Sequence, residues 1–170
     1  LKYDIPDNIL LLFEDIIKIN DFEIDYTNFD PKFFEESDEH KFIMISAEEE
    51  NFGTILNISY NASKVFGYTR CELIGKKFWI LLPDICKDEF ENCLIKRTNR
   101  LKIKFYDALG NKKIYIPKTD EMFINAKDKS KYLIPLYIKM LLVQTEESDH
   151  AYIMTISYLD DINLNKINDI

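Results

Sequence analysis

The chain has little with which to perform covalent chemistry. Its 170 residues include only two histidines, His40 and His150, and four glycines. Gly53, Gly67, Gly75 and Gly110 stand too far apart to write a phosphate-cradling loop. No G-x-S-x-G turn exists to expose a serine nucleophile, so a Ser–His–Asp arrangement lacks one of its known settings. Three cysteines, Cys71, Cys86 and Cys93, form no C-x-x-C pair and leave an odd count, which fits a reducing intracellular compartment. Basic residues are outnumbered: 22 Lys and Arg against 30 Asp and Glu give a net charge of −8. That balance argues against nucleic acid or an anionic membrane surface as the principal partner. No apolar run approaches the ~20 residues of a membrane span. The N terminus lacks a basic-then-apolar leader, and a start at Leu1 without Met reads as a piece of something longer.

What is present suits a core. At 46% hydrophobic and 31% charged, the chain fits one globular domain with an appendage. Twelve Phe and ten Tyr supply bulk to fill an interior. The carboxylate clusters Glu48-Glu49-Glu50 and Asp84/Asp88/Glu89 read as solvated faces, and no metal site is expected. Asn57-Ile58-Ser59 and Asn61-Ala62-Ser63 match the glycosylation pattern but fall inside a strand–helix element with little room for a glycan.

The most informative stretch runs from Gly53 to Lys76. Thr54–Ile58 is β-rich and follows a turn glycine. Ser59 is placed to cap a short helix that ends at Gly67, the residue free to adopt the left-handed conformation. Thr69, with Glu72 three residues on, writes a capping box for a second short helix, and Gly75 ends it. Phe66-Gly67-Tyr68-Thr69 followed by Glu72-Leu73-Ile74-Gly75-Lys76 resembles the signature of PAS sensor domains. Lys41–Ser46 and Thr54–Ile58 resemble that family's first two strands, and Pro83–Thr98 its long helix. Phe123–Ala126, Tyr132–Leu142 and Tyr152–Leu159 resemble the three closing strands, and Asp160-Asp161-Ile162-Asn163 the acidic end. The resemblance implies an α+β PAS fold: a five-stranded antiparallel sheet flanked by short helices and one longer helix, with an N-terminal helical extension. It divides the chain into an extension and connector (1–40), a PAS domain (41–163) and the start of a C-terminal linker (164–170). It extends, chiefly in Phe123–Leu142, to PAS domains attached to multi-pass membrane proteins of ciliates.

Alternation supports the closing strands. Ile134, Leu136, Ile138 and Met140 share one face, with Pro135 at an edge or an irregular strand start. In the last strand Tyr152, Met154, Ile156 and Tyr158 share a face. On the long helix, Ile85, Cys86, Phe90, Cys93, Leu94 and Arg97 are expected near one stripe over the sheet, with the cysteines behaving as small buried hydrophobes. Leu101–Phe105 and Lys113–Ile116 alternate around Asp107–Asn111, which reads as a hairpin inserted at 101–119. The competing register makes these the third and fourth strands themselves.

In the N-terminal segment, Ile9, Leu12, Phe13, Ile16 and Ile17 occupy one helical face and Leu10 and Leu11 another. A helix this apolar has two neighbours to satisfy, or lies wholly within its own domain's core. Leu10, Leu11 and Phe13 are therefore the expected contacts with a protein partner or a second copy of the chain.

The interior is the remaining candidate site. Phe78, Ile80, Ile138, Met140, Met154 and Ile156 are expected to line it, so a ligand would be small and hydrophobic, unless large side chains fill the space. The flavin-binding photosensory relatives carry a reactive Cys three residues after the glycine matching Gly75. Phe78 stands there, followed by Trp79, and photoadduct formation is not supported. Haem-binding relatives of one kind use a His on the long helix, and Pro83–Thr98 has none. Both histidines read as surface residues. The resemblance thus implies a non-catalytic regulatory or interaction module in the cytoplasm, without a cofactor, belonging to a larger signalling or membrane-associated protein. The alternative is a small-molecule, haem or redox sensor with its ligand in the interior.

Overall fold

In the computed structural model, residues 41–111, 120–144 and 149–159 are described. The expected extension with Leu10, Leu11 and Phe13, the 113–116 half of the expected hairpin, and the linker lie outside them.

Five strands form one antiparallel sheet: β1 (Phe42–Ser46), β2 (Ile55–Ile58), β3 (Asp120–Lys127), β4 (Leu133–Gln144) and β5 (His150–Tyr158), in spatial order β2-β1-β5-β4-β3. This is the expected sheet. β5 therefore lies at its centre between β1 and β4, and β1 and β5 are both rich in Ile, Met and aromatic residues that fit a pleated, covered surface. Successive side chains alternate between faces. Register puts Ile43 beside Met154, Ile45 beside Tyr152 and Met140 beside Met154 on one face; Met44 beside Ile153 and Leu141 beside Ile153 share the other. Pro135 is in register with Asn125 one residue before β4 begins to pair with β5 at Leu136, where a missing N–H costs the ladder least.

Between β2 and β3 come the helices that cover the first face. The Ser59 hydroxyl accepts the Ala62 amide at 3.2 Å and caps α1 (Tyr60–Val65). It also accepts the Phe42 amide at 3.1 Å, so one side chain joins a helix start to the first strand. Gly67 has φ +73°, and its neighbour Phe66 carries the carbonyl that accepts the Lys129 amide from the β3–β4 turn. Thr69 caps α2 (Arg70–Leu73) by accepting the Glu72 amide, and the Glu72 carboxylate answers to Thr69 in return, completing the capping box. A 3-10 turn, Phe78–Leu81, then leads to α3 (Asp84–Lys102).

Two expectations about α3 need correction. Its core-facing side is centred on Leu94 and Thr98, flanked by the partly buried Phe90 and Leu101. Ile85 is 87% exposed because it sits nine residues before Leu94, about two and a half turns away and thus on the opposite side. Cys86 and Cys93 are exposed, as is Cys71; none acts as a buried hydrophobe. Leu101–Phe105 is not a hairpin strand: the helix runs through Lys102 and tightens into a 3-10 turn, Ile103–Phe105. Leu101 and Phe105 satisfy i, i+4 spacing as well as alternation, and only those two turn to the core while Ile103 is exposed. The following turn does form, with Asp107 Oδ1 accepting the Leu109 and Asn111 amides and Gly110 at φ +82°.

Candidate functional site in the sheet interior

The face of the sheet beneath α3 is the candidate site. Ile138 pairs with Ile156 and Met140 with Met154 across β4 and β5, so four of the six expected lining residues form two adjacent cross-strand pairs, all buried. Phe78 is buried on a different element, the 3-10 turn before α3, where its ring meets Trp79 and Phe90 at centroid distances of 6.1 and 5.7 Å. Ile80 packs at the margin, only partly buried. The two thioethers and two isoleucines make this half apolar and polarisable.

Toward the C-terminal end of α3 the same face turns polar, which alternation alone did not reveal. Gln144, His150, Tyr152 and Thr98 are all buried there. The Thr98 hydroxyl donates to the Leu94 carbonyl at 2.6 Å, a pattern open to any helical threonine. With that proton committed, the Tyr152 hydroxyl donates to Thr98 Oγ1 at 2.7 Å. Burial pushes the Tyr152 phenol upward, against the opposing influence of Thr98 and Arg97. Arg97 in turn pairs with Asp120 at the start of β3, tying the helix to the sheet edge. Gln144 Nε2 donates to the Tyr106 hydroxyl at 2.9 Å.

His150 was expected at the surface; it is buried as the first residue of β5. Pairing with Gln144 extends the β4–β5 ladder to that position and directs the imidazole inward. Glu48, just after β1, accepts the His150 amide at 2.5 Å and lies 3.0 Å from its Nδ1. Phe105 meets the ring edge-on at 5.4 Å, and Nε2 is buried with no hydrogen-bond partner among the described residues. Burial holds the imidazole below its ordinary pKa despite the Glu48 carboxylate. For Glu48, burial works against the charged form, but hydrogen bonds from His150 and the nearby Lys102 outweigh it and hold the carboxyl below the usual range. The signal for this group in the sequence was faint: one His at a strand start and one Glu within a run of three.

Among the described residues, no group of three or more His, Cys, Asp or Glu is placed to hold a metal ion, and no helix is long and apolar enough to cross a membrane. Asn57, in one of the two glycosylation patterns, is buried, its Oδ1 accepting from Arg70 at 3.0 Å.

No family profile matches the amino-acid sequence, and neither does any curated protein. Solved structures do match in shape. A PAS domain of a Desulfitobacterium hafniense protein superposes with a TM-score of 0.54 at 17% identity, over 74% of this chain and 98% of that one. A PAS domain from Colwellia psychrerythraea gives 0.53 at 11% identity, over 75% and 92%. A fungal LOV domain photoreceptor gives 0.52 at 14% identity, over 92% of each chain. The fold is therefore the PAS fold, and the resemblance noted in the glycine-punctuated stretch holds at the level of architecture.

Proposed function

We propose that the chain is a non-catalytic PAS regulatory and interaction module of a larger intracellular signalling or membrane-associated protein. One observation carries this reading: β1 and the adjoining stretch His150–Met154 of the central strand β5 are buried on both faces. Side chains of the interior and of the outer sheet surface thus alternate along the same two strands, and a change in one layer is mechanically felt by the other. The fold shared with a fungal photoreceptor domain supports it, as does the apolar character of Leu10 and Leu11 in the sequence. Association, with a second copy or with the rest of the parent protein, would run through Leu10 and Leu11. Sedimentation of residues 1–170 over a hundredfold concentration range tests this. Self-association weakened at least tenfold by Leu10→Glu with Leu11→Glu is expected. A chain monomeric throughout, whose parent protein associates identically with and without the two substitutions, refutes it.

A second reading is a sensor whose interior takes a small hydrophobic molecule, haem or a redox-active group. It is favoured by His150 Nε2, buried without a hydrogen-bond partner among the described residues at the polar end, and by the paired Met140 and Met154 thioethers at the apolar end. A flavin cysteinyl adduct has no candidate thiol, since Cys71, Cys86 and Cys93 are all exposed. Gently purified protein with an added mass or a visible absorption band supports the sensor; a colourless, mass-clean preparation removes it.

A further inference from the structure

The two edges of the sheet are finished differently. β2, at one edge, has four residues, and the segment after α2 closes its free side. The Ile55 amide donates to the Lys76 carbonyl at 2.8 Å, the Gly75 amide donates to the Ile55 carbonyl at 2.9 Å, and Thr54 bridges to Lys77. The β1–β2 register also shifts between Met44 and Ile45. β3, at the other edge, has eight residues in unbroken register with β4 and carries neither proline nor glycine. No described residue pairs with its far side. α3 approaches β3 from the inner face, where Arg97 meets Asp120. On the opposite face Glu121, Phe123 and Asn125 are all exposed, Phe123 to 52%. A long, regular edge with an apolar middle is a template for another strand, and the charges at its ends select which one.

We infer that β3 pairs antiparallel with β3 of a second copy about a twofold axis at Ile124, so that Glu121 of each copy faces Lys127 of the other. Antiparallel self-pairing joins residues whose backbone groups point to the same side, and these alternate along a strand. The axis therefore passes through a residue, not between two. At Ile124 it sets Glu121 opposite Lys127 and Phe123 opposite Asn125, each pair twice and all on the face away from α3. The two exposed Phe123 rings become diagonal neighbours across the axis, within reach of each other. Moving the axis by one residue forfeits this match. At Phe123 it would set Glu121 against Asn125; at Asn125 it would set Glu121 against Lys129, which lies in the β3–β4 turn and already holds Glu72 at 2.9 Å. Inside one copy the matched groups are held at long range: Lys139 Nζ is 3.9 Å from Glu121, and Asp84 is 3.5 Å from Lys127 Nζ. Glu121 also accepts from Tyr137, and a carboxylate has capacity for a further donor. The contact is small, so pairing is weak unless another attachment brings two copies together. It uses neither Leu10 nor Leu11 and stands apart from the association proposed through them.

Mixing two single charge reversals tests the pairing. Glu121→Lys sets a lysine against each Lys127, Lys127→Glu sets a glutamate against each Glu121, and one chain of each kind restores both matched pairs. By sedimentation of residues 1–170 carrying Leu10→Glu and Leu11→Glu, which silence the other proposed contact, each reversal should weaken self-association at least tenfold. Their equimolar mixture should return to within threefold of the unreversed chain. Glu89→Lys mixed with Lys96→Glu, an exchange of the same net charge on exposed positions of α3, should show neither loss nor rescue. The unaltered chain supplies a second measurement that needs no variant to fold. Carbodiimide should join Glu121 to Lys127 in covalent dimers, since within one strand the two stand about 20 Å apart, too far for that bond. Alternate amides of β3 should also exchange at least tenfold more slowly when the concentration is raised a hundredfold. Absence of loss on reversal, absence of rescue on mixing, or equal rescue by the α3 pair overturns the inference. So do covalent dimers lacking the Glu121–Lys127 link. Alternate β3 amides already protected at the lowest concentration overturn it too, and assign the edge to another part of the same chain, 112–119 or 1–40 included.

Discussion

Gly53 stands at the joint between the β1–β2 hairpin and the 3-10 turn before α3, and replacing it by alanine separates two costs. The backbone there has φ +80°, a conformation that penalises any Cβ by about 1–2 kcal/mol. The lower unfolded-state entropy of alanine returns about 0.4–1 kcal/mol of that. A Cβ would also lie 2.4 Å from Cζ2 and 2.9 Å from Cε2 of Trp79. The indole has little room to retreat: it is buried against Phe52, Phe78 and Phe90, with ring centroids 6.3, 6.1 and 5.7 Å away. The Phe78 amide, meanwhile, pins the Gly53 carbonyl at 2.8 Å. Overpacking of this kind costs about 1–3 kcal/mol. Gly75 is the internal control, with φ +87° and open space around the added Cβ. Gly75→Ala should thus destabilise by about 0.5–1.5 kcal/mol, and Gly53→Ala by about 1.5–4.5 kcal/mol, the difference being the steric part. Urea denaturation followed by circular dichroism gives both values, and Trp79, the chain's only tryptophan, adds a fluorescence reading at the site of the clash. In a Trp79→Leu background the excess at Gly53 should shrink toward the Gly75 value. Equal costs at the two glycines, or an excess that survives removal of the indole, would show that the joint is not packed as described.

Three further outcomes can be checked. The imidazole of His150 has its pKa lowered from 6.5, so an unfolded chain takes up a proton below that pH before the folded one does. Stability should therefore fall between pH 7 and 5, and Glu48, lowered from 4.5, adds its loss only at more acid pH. His150→Phe should flatten the fall in urea midpoint over that upper window despite Glu48, Lys102 and Asp149 remaining nearby; an unchanged slope assigns the titration elsewhere. For the buried hydroxyl pair, a double-mutant cycle of Thr98→Val and Tyr152→Phe should give a coupling of about 1 kcal/mol, with the double variant less destabilised than the sum of the single ones. Strictly additive effects would mean that the 2.7 Å contact carries no net energy. Ser59→Ala removes an acceptor from both the Ala62 and Phe42 amides and should cost about 1–2 kcal/mol by denaturant titration, whereas loss of a helix cap alone would cost about 1.

Much of this architecture was legible because its boundaries are set by short-range chemistry. As boundaries, Ser59, Gly67, Thr69 and Gly75 are set by contacts within three or four residues, and each stands where local reasoning places it, although Ser59 also reaches the Phe42 amide. The β3–β4 turn is of the same kind: Asp128 accepts the Tyr132 amide through Oδ1 and Lys131 takes φ +69°. What was illegible depends on distant partners. Asp120 and Glu121 extend β3 beyond its apolar part because Asp120 meets Arg97 on α3 and Lys139 lies opposite Glu121 on β4. Nothing near Leu101 reveals that Phe105 will find His150, so the local pattern, compatible with strand or helix, points to a strand where the chain is helical. The interior divides the same way. Ile138, Met140, Met154 and Ile156 followed from alternation, whereas the polar end could not, since Gln144, His150 and Thr98 become buried through contacts spanning tens of residues.

The polar end is also where interior and exterior are joined most directly. Ala151 of β5 faces the outer side of the sheet and lies between His150 and Tyr152, which point inward. Glu48 follows β1 by two residues, and its carboxylate holds both the His150 amide and Nδ1, so the end of β1 is fastened to the start of β5 by one side chain. Lys102, 3.6 Å from that carboxylate, brings in the last turn of α3. Moving α3 relative to the sheet therefore acts on Glu48, and a shift of Glu48 displaces the strand end that carries Ala151. The apolar half offers no equivalent: Ile138, Met140, Met154 and Ile156 meet their neighbours through non-directional contacts that can re-pack without moving a strand. If the module transmits a change from its interior to its outer face, Glu48→Gln or Lys102→Met should speed hydrogen-peroxide oxidation of Met44, the buried outward-facing methionine of β1, more than Ile156→Val does, as read by mass spectrometry.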